Sequence, residues 1–339
     1  MADPREWIEK ADALLASVSY PELVEAGVLL PDDRWLPVIT YPPITMYPPQ
    51  EPETLLATAE EWRGDRPRAL YAHIPFCRFC CHYCHWVKRI NPSRDEVDRY
   101  ADLLIREADV VRGWLGVEKL SASSILFGGG TPTLLDAAQL DSLLSRFLDR
   151  VDLSGCRQFS FEAEPASILG EQGAAKLAVL KSHGVDRISI GVQSFEDHVL
   201  RGMGRSHDGA EALASIEAVR RAGIPSVSID LIYGCKDQTI EDWLRSLDTA
   251  VASGADAWQL YRLRIERHGD MQGKVLDQFR GGRDRFADLH TVRRMKALGV
   301  VRSMESGRQE HFTRIFATAQ EHVTQYMWDY CCDLADVIP

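Results

Sequence analysis

Four of the chain's eight cysteines fall inside the stretch YAHIPFCRFCCHYCHW (residues 71–86), at Cys77, Cys80, Cys81 and Cys84, with His82 and His85 among them. Thiols at this density call for metal or redox chemistry, and three arrangements compete. A structural zinc site takes four ligands, but common zinc ribbons separate their two C-x-x-C pairs by about 15–20 residues, and here the pairs abut. A thioredoxin-type disulfide needs a single C-x-x-C. The third reading takes Cys77, Cys81 and Cys84 as C-x-x-x-C-x-x-C, three thiolates on a four-iron cluster. A fourth cysteine would complete the shell and suit the cluster to electron transfer; three leave one iron open to bind and reduce a substrate. Spacing favours the cluster over zinc.

A loop of this kind must be held by something regular, and the following sequence has a rhythm. Short apolar runs at 69–74, 123–129, 158–164, 187–192, 226–234 and 257–265 alternate with amphipathic helical patterns at 94–115, 137–150, 173–184, 209–223 and 239–254. In the first of these helices Val97, Tyr100, Leu103, Leu104, Ala108, Val111 and Trp114 recur at spacings of three and four and make one apolar stripe. Six βα units in series predict an α/β fold with a parallel sheet wrapped by helices, open or closed into a barrel. In such folds ligands sit at the carboxyl ends of the strands. The residues that stand out fall on that rim: the cysteine loop follows the first strand, GGGTP the second, Glu162 and Glu164 end the third, Gln193 the fourth and Asp230 the fifth.

Composition bounds the rest. The chain has 339 residues and a net charge of −11, so it offers no general basic surface to nucleic acid or to an anionic membrane. No stretch approaches the roughly 18 apolar residues of a membrane span, and the charged start has no signal-peptide pattern, so a cytoplasmic protein is expected. Eight cysteines in a chain this long do not suggest a secreted disulfide scaffold. Cys156 and Cys235 read as small buried hydrophobes, and the adjacent pair Cys331 and Cys332 stays unassigned. Residues 4–18 read as a surface helix. The stretch from Leu36 to Pro52 reads as a polyproline arm that Tyr41, Met46 and Tyr47 could anchor.

C-x-x-x-C-x-x-C with Tyr83 before its last cysteine resembles the signature of radical S-adenosylmethionine (SAM) enzymes. YAHIPFC resembles the HemN-like branch, that of oxygen-independent coproporphyrinogen III oxidase. FGGGTPTLL (127–135), FEAEP (161–165), RISIGVQSFEDHVLRGMGRSHD (187–208) and IDLIYGCKDQT (229–239) resemble that branch's later motifs in order, so the resemblance runs over about residues 36–328. It implies a partial (β/α)6 radical SAM barrel with a [4Fe–4S] cluster on Cys77, Cys81 and Cys84, leaving Cys80 spare. SAM would chelate the open iron and be split by one electron into methionine and a 5′-deoxyadenosyl radical that abstracts hydrogen from a substrate carbon.

By the same resemblance Tyr71, Gly129 and Glu162 would serve this SAM. Glycines let a backbone approach a ligand closely, and Glu162 can accept from a ribose or an amine. The branch is also known for a second SAM, which implies roles for Tyr83, Gly130, Thr131, Gln193, Arg205 and Asp230. Arg205 could fork onto a carboxylate, and Asp230 could hold ribose hydroxyls or an amine, with a structural ion pair as the rival for each. Glu164 could be a solvated rim residue. His73, His82 and His85 read as hydrogen-bonding or packing residues, and Tyr83 and Trp86 as a cover over the cluster.

Departures from the relatives sharpen the expectation. Coproporphyrinogen oxidases carry a further cysteine two positions past the last ligand, where this chain has Trp86. Haem chaperones of the branch carry HNxxYW, and the nearest stretch here is HVTQYMW (322–328), leaving His322 as a candidate ligand. By elimination the pattern points to the class C methyltransferases and cyclopropanases, acting on a small natural product; coproporphyrinogen oxidation or haem handling is the alternative. The resemblance implies an N-terminal helix and arm (1–66), the barrel (67–300) and the start of a C-terminal region (301–339), truncated or shortened. It also implies a monomer served by a one-electron donor such as flavodoxin or ferredoxin.

Overall fold

The protein is described here from a computed structural model covering residues 4–27, 64, 66–84, 86–265, 272–312, 314–333 and 337–338. The expected arm at 36–52 lies outside the described residues, as does His85. Four helices begin where reciprocal capping boxes set them, with Ser93 and Glu96, Asp136 and Gln139, Asp208 and Glu211, and Thr239 and Asp242 each exchanging side-chain and backbone hydrogen bonds. Each box satisfies amide groups that a helix start leaves unpaired, which fixes the strand-to-helix turn.

The strands are β1 (Arg68–Ile74), β2 (Phe76–Cys77), β3 (Arg89–Ile90), β4 (Leu120–Gly129), β5 (Val151–Asp152), β6 (Phe159–Ala163), β7 (Arg187–Gln193), β8 (Ser226–Tyr233), β9 (Ala257–Arg262), β10 (Gln309–His311), β11 (Ile315–Ala317) and β12 (Val337–Ile338). Strands β1, β4, β6, β7, β8 and β9 pair in that order, all parallel, as six successive βα units require. Strands β11 and β10 extend the β9 side antiparallel, and β12 adds parallel to β1 at the other edge. The boundary expected at 300/301 falls inside the helix Leu289–Glu305, and the strands beyond it join the same sheet.

Alternate residues of these strands divide the labour. Phe127, Phe161, Ile188, Ile190, Val227, Ile229 and Trp258 are all under 1% exposed and pack in one core with helix residues such as Leu140, Leu144, Leu177, Val219 and Leu247. The ring of Phe127 stacks on Phe161 with centroids 5.0 Å apart. By the pleat, the other parity faces inward, and it is polar: Ser160 and Glu162, Arg187 and Ser189, Ser228 and Asp230, Gln259 and Tyr261. A sheet that holds only a hydrophobic core has no use for such a lining.

That interior is closed at the amino ends of the strands. Asp329, fully buried, accepts from Ser123 and Ser124 Oγ at 2.7 and 2.6 Å, and Gln158 Nε2 donates to the Glu321 and Val323 carbonyls at 3.1 and 3.0 Å. The opposite end, at the carboxyl ends of the strands, carries the cysteine loop between β1 and β3. In the first barrel helix Leu104, Ala108 and Val97 are buried as expected, whereas Leu103 is 60% exposed because the buried stripe runs through Ile105 and Leu115 instead. The N-terminal helix (Pro4–Ala16) rests on the helix Leu289–Glu305, burying Trp7 and Ala11. No helix among the described residues is long and apolar enough to cross a membrane.

Candidate active site

The cysteine loop leaves β1 at Ile74 and is tied at its base. Cys77 on β2 pairs with Ile90 on β3, the Arg89 amide donates to the Pro75 carbonyl at 2.6 Å, and the Asn91 amide donates to the Cys77 carbonyl at 2.9 Å. Its tip is pinned across the mouth: the His82 amide donates to Met203 O at 3.0 Å, and His82 Nδ1 lies 3.1 Å from Gly202 O. His73 Nδ1 lies 3.0 Å from the Tyr71 hydroxyl, and its Nε2 lies 3.3 Å from Val87 O. Both histidines thus have hydrogen-bonding work of their own. All eight cysteines are free, and burial pushes the Cys77 thiol up to about 11, so a metal taking this sulfur must displace a proton.

The turn after β4 is packed against this loop. The Gly130 amide donates to Ile74 O and the Thr131 amide to Phe76 O, both at 2.8 Å, and Thr131 Oγ1 sits 3.7 Å from Cys77 Sγ. The Gly129 amide donates to Glu162 Oε2 at 3.0 Å. A Cβ at Gly129 would lie 2.5 Å from the His73 ring, and one at Gly130 would lie 2.7 Å from Phe76 O. The glycines therefore serve first to bring two strand ends together, a reason that sequence alone assigned to a ligand. Burial raises Glu162 to about 7, with Asp230 adding to it, and burial raises Asp230 to about 6.

Opposite the loop, Arg205 donates from Nη1 to Cys81 Sγ at 3.1 Å and from Nη2 to Gly191 O at 2.9 Å. Gln193 ends β7 with φ at 67°, a left-handed conformation that costs a non-glycine residue energy and turns its buried side chain at a break in the β7–β8 register. Tyr83 packs on a second apolar cluster that includes Val199, Met203 and Cys235. Burial raises the phenol of Tyr71, and its ring lies 5.7 Å from that of Tyr326. Tyr71, Gly129, Glu162, Gln193 and Asp230 thus come from five successive parallel strands, and Arg205 joins them from the turn after the helix Asp197–Gly202.

The donor set is the free thiols Cys77, Cys81 and Cys84 with Cys80 beside them, soft ligands that suit an iron–sulfur cluster or zinc. Among the described residues, the His/Cys/Asp/Glu group gathered within 4.8 Å is Glu196, His198 and Asp242. Farther in, Arg205 Nε, Asp230 Oδ1, Ser189 Oγ, Ser228 Oγ and Arg187 Nη2 are buried with no hydrogen-bond partner among the described residues. Unpaired groups of this kind call for a polar ligand or water.

Residues 71–250, more than half the chain, match the family described as Radical SAM superfamily. The chain belongs to the radical SAM superfamily. Within it the chain falls in the HemN-like branch. It is 35% identical over 201 residues to the heme chaperone HemW of Bacillus subtilis, covering 59% of this chain and 51% of that protein. It is 30% identical over 230 residues to the oxygen-independent coproporphyrinogen III oxidase of Pseudomonas aeruginosa, covering 67% and 48%. The solved structure of coproporphyrinogen III oxidase (HemN) from Escherichia coli superposes with a TM-score of 0.70 at 26% identity, covering 81% of this chain and 61% of that one. The chain spans about half the length of the curated relatives it matches. Radical SAM membership implies a [4Fe–4S] cluster and SAM.

Two expectations need correction in this radical SAM mouth. Glu164 is no solvated rim residue: its side chain is 11% exposed and faces His207 and Arg205. His322 lies at the opposite end of the barrel, with Nδ1 2.9 Å from Ser226 Oγ at the start of β8, and so faces away from the mouth. His207, buried beside Arg205, had no assigned role in the sequence. The E-A-E alternation, which puts Glu162 and Glu164 on one strand face, was the available signal for the Glu164 side of this pair.

Proposed function

We propose that this radical SAM protein cleaves SAM reductively at a [4Fe–4S] cluster on Cys77, Cys81 and Cys84, and acts on a carboxylate-bearing tetrapyrrole. The observation that carries the first part is the contact of Arg205 Nη1 with Cys81 Sγ at 3.1 Å, which joins the loop thiols to the buried Arg205 Nε and Asp230 Oδ1 that have no partner among the described residues. When bound, the cluster supplies the electron that splits the sulfonium of SAM. The chain's own residues bind and orient: Glu162 and Asp230 accept from ribose hydroxyls or the methionyl amine, Arg205 offers its free Nε to a carboxylate, and Tyr71 lines the wall. Tyr71, Gly129 and Glu162 make the set for the first SAM and Tyr83, Gly130, Thr131, Gln193, Arg205 and Asp230 the set for a second, and the proposal extends to two SAM molecules, a one-electron donor such as flavodoxin or ferredoxin, and a monomer.

The tetrapyrrole part rests on the relatives, whose names are heme chaperone and coproporphyrinogen III oxidase. Arg262 and Arg264, exposed at the carboxyl end of β9, suit propionate groups. Methyl transfer, reached by elimination from Trp86 and HVTQYMW, has no comparable support and gives way. The test is anaerobic reconstitution followed by reduction with coproporphyrinogen III, haem or neither present. 5′-Deoxyadenosine together with decarboxylated porphyrinogen, or with retained haem, supports the proposal. Transfer of label from methyl-labelled SAM to a different product would overturn the tetrapyrrole part, and protein without iron and sulfide would overturn the whole.

A further inference from the structure

Glu164 and His207, to which no SAM role is assigned, form a buried polar knot with the SAM candidate Arg205 behind the cysteine loop. The side chains of Glu164, Arg205 and His207 are 11%, 7% and 0% exposed. His207 Nε2 lies 3.0 Å from the Val192 carbonyl, which can only accept, so this nitrogen carries hydrogen. Its Nδ1 lies 3.3 Å from Glu164 Oε1 and 3.5 Å from Arg205 Nη2. Glu164 is itself fixed, because Oε2 accepts the Ser167 amide at 3.1 Å as the cap of the short helix Pro165–Ile168. Arg205 Nη2 sits 3.6 Å from Glu164 Oε1 while donating to Gly191 O, which leaves Nη1 aimed at Cys81 Sγ from 3.1 Å. Phe79 covers the guanidinium, 5.5 Å from its ring centroid.

We propose that Glu164 and His207 are positioning residues that hold the Arg205 guanidinium against Cys81, so that one cluster ligand carries a charge-assisted N–H···S bond that sets the reduction potential of the cluster. The physical reason is direct. A donor on a cluster sulfur stabilises the more negative, reduced state, and hydrogen bonds to the sulfurs are among the determinants of such potentials. A long, charged side chain does not hold one orientation unaided, since fixing it costs rotamer entropy. Here two acceptors narrow that freedom, Gly191 O and Glu164 Oε1, and the Glu164 carboxylate is itself held by the Ser167 amide and by His207, which is tied to the Val192 carbonyl. The inference rests on the proposed cluster site, and its test separates the two.

The experiment is an EPR-monitored potentiometric titration of reconstituted wild type, Glu164→Gln and Arg205→Lys, without SAM, with iron and sulfide measured on each. Wild type lacking iron and sulfide would sink the cluster site itself. With the cluster loaded, the two readings of Glu164 predict opposite signs. If Glu164 were merely a nearby negative charge, its neutralisation would make the cluster easier to reduce. As a positioner of Arg205, its loss frees the guanidinium from Cys81 and makes the cluster harder to reduce. We expect the second, by at least a tenfold change in the oxidised-to-reduced ratio at fixed potential, about 59 mV for one electron. Arg205→Lys keeps the charge and loses the fork, and is expected to shift the same way. Should Glu164→Gln fail to load iron, this variant carries the test alone. Unchanged or raised potentials overturn the proposal.

Discussion

Glu162 and Asp230 stand on β6 and β8 with β7 between them, and the register sets them at different depths: Glu162 is level with Ser189 and, through it, Ser228, whereas Asp230 is two residues nearer the mouth. Both are buried, and both carboxyls are pushed upward, to about 7 and about 6. A carboxyl whose folded value exceeds its unfolded one contributes stability at low pH that is lost as pH rises through the folded value. Stability of the ligand-free protein should therefore fall between about pH 4 and pH 7. Glu162→Gln is expected to flatten part of that fall, by on the order of 2–3 kcal/mol above pH 7, and to match wild type below about pH 4. Denaturant melts across pH decide it; parallel profiles for the two proteins would contradict the assignment. SAM, which is cationic at its sulfonium and amine, should bind more tightly at pH 8 than at pH 5.5, and Glu162→Gln should lose most of that difference in equilibrium dialysis.

The cysteines make a selective expectation. Cys77→Ala, Cys81→Ala or Cys84→Ala should each abolish stable loading of about four irons, whereas Cys80→Ala should keep it. Cys80 has only a weak sulfur contact to its neighbour's carbonyl at 3.8 Å, while Cys77 is met by Thr131 and Cys81 by Arg205. Iron and sulfide analysis after anaerobic reconstitution checks this. Iron lost with Cys80 but kept without Cys77 would mean a different ligand register.

Much of this architecture was legible beforehand, because each strand and helix of the barrel carries a local signal. The apolar runs fall within a few residues of the observed strands, and the helical patterns that begin at 94, 137, 209 and 239 start within a residue of the observed helices. The rim placement of Glu162, Gln193 and Asp230 followed from the strand ends alone. The missing parts are those fixed by contacts distant in sequence. Nothing local announces that Glu164 meets His207, 43 positions on, or that Asp329 meets Ser123, 206 positions back.

Gly129 tests the reading of the glycine turn as a strand-end junction. Its φ of 111° is one that residues with a side chain rarely adopt, and a Cβ would meet the His73 ring at 2.5 Å. Gly129→Ala must therefore displace His73, with its bond to the Tyr71 hydroxyl, or break the amide bond to Glu162. A loss of about 1–3 kcal/mol in urea melts is expected, together with weakened SAM binding. Unaltered stability would mean that the turn has room that the geometry denies it.

The far end of the barrel makes the last expectation, because it separates floor from mouth. Asp329 has no exposed surface and accepts from Ser123, Ser124, Gln325 and the guanidinium of Arg157. Removing the carboxylate leaves two buried serine hydroxyls without their acceptor, while the half-exposed Arg157 keeps Asp333, so the loss is dominated by unpaired polar groups rather than by lost packing. Asp329→Ala should therefore cost roughly 3 kcal/mol, while Asp329→Asn, which keeps an acceptor oxygen, should cost less. Because the floor lies at the amino ends of the strands and the thiols at the carboxyl ends, iron loading of the folded variant should equal that of wild type. Urea denaturation read alongside iron content tests both halves. A variant that is fully stable but cannot take up iron would place Asp329 at the cluster rather than beneath it.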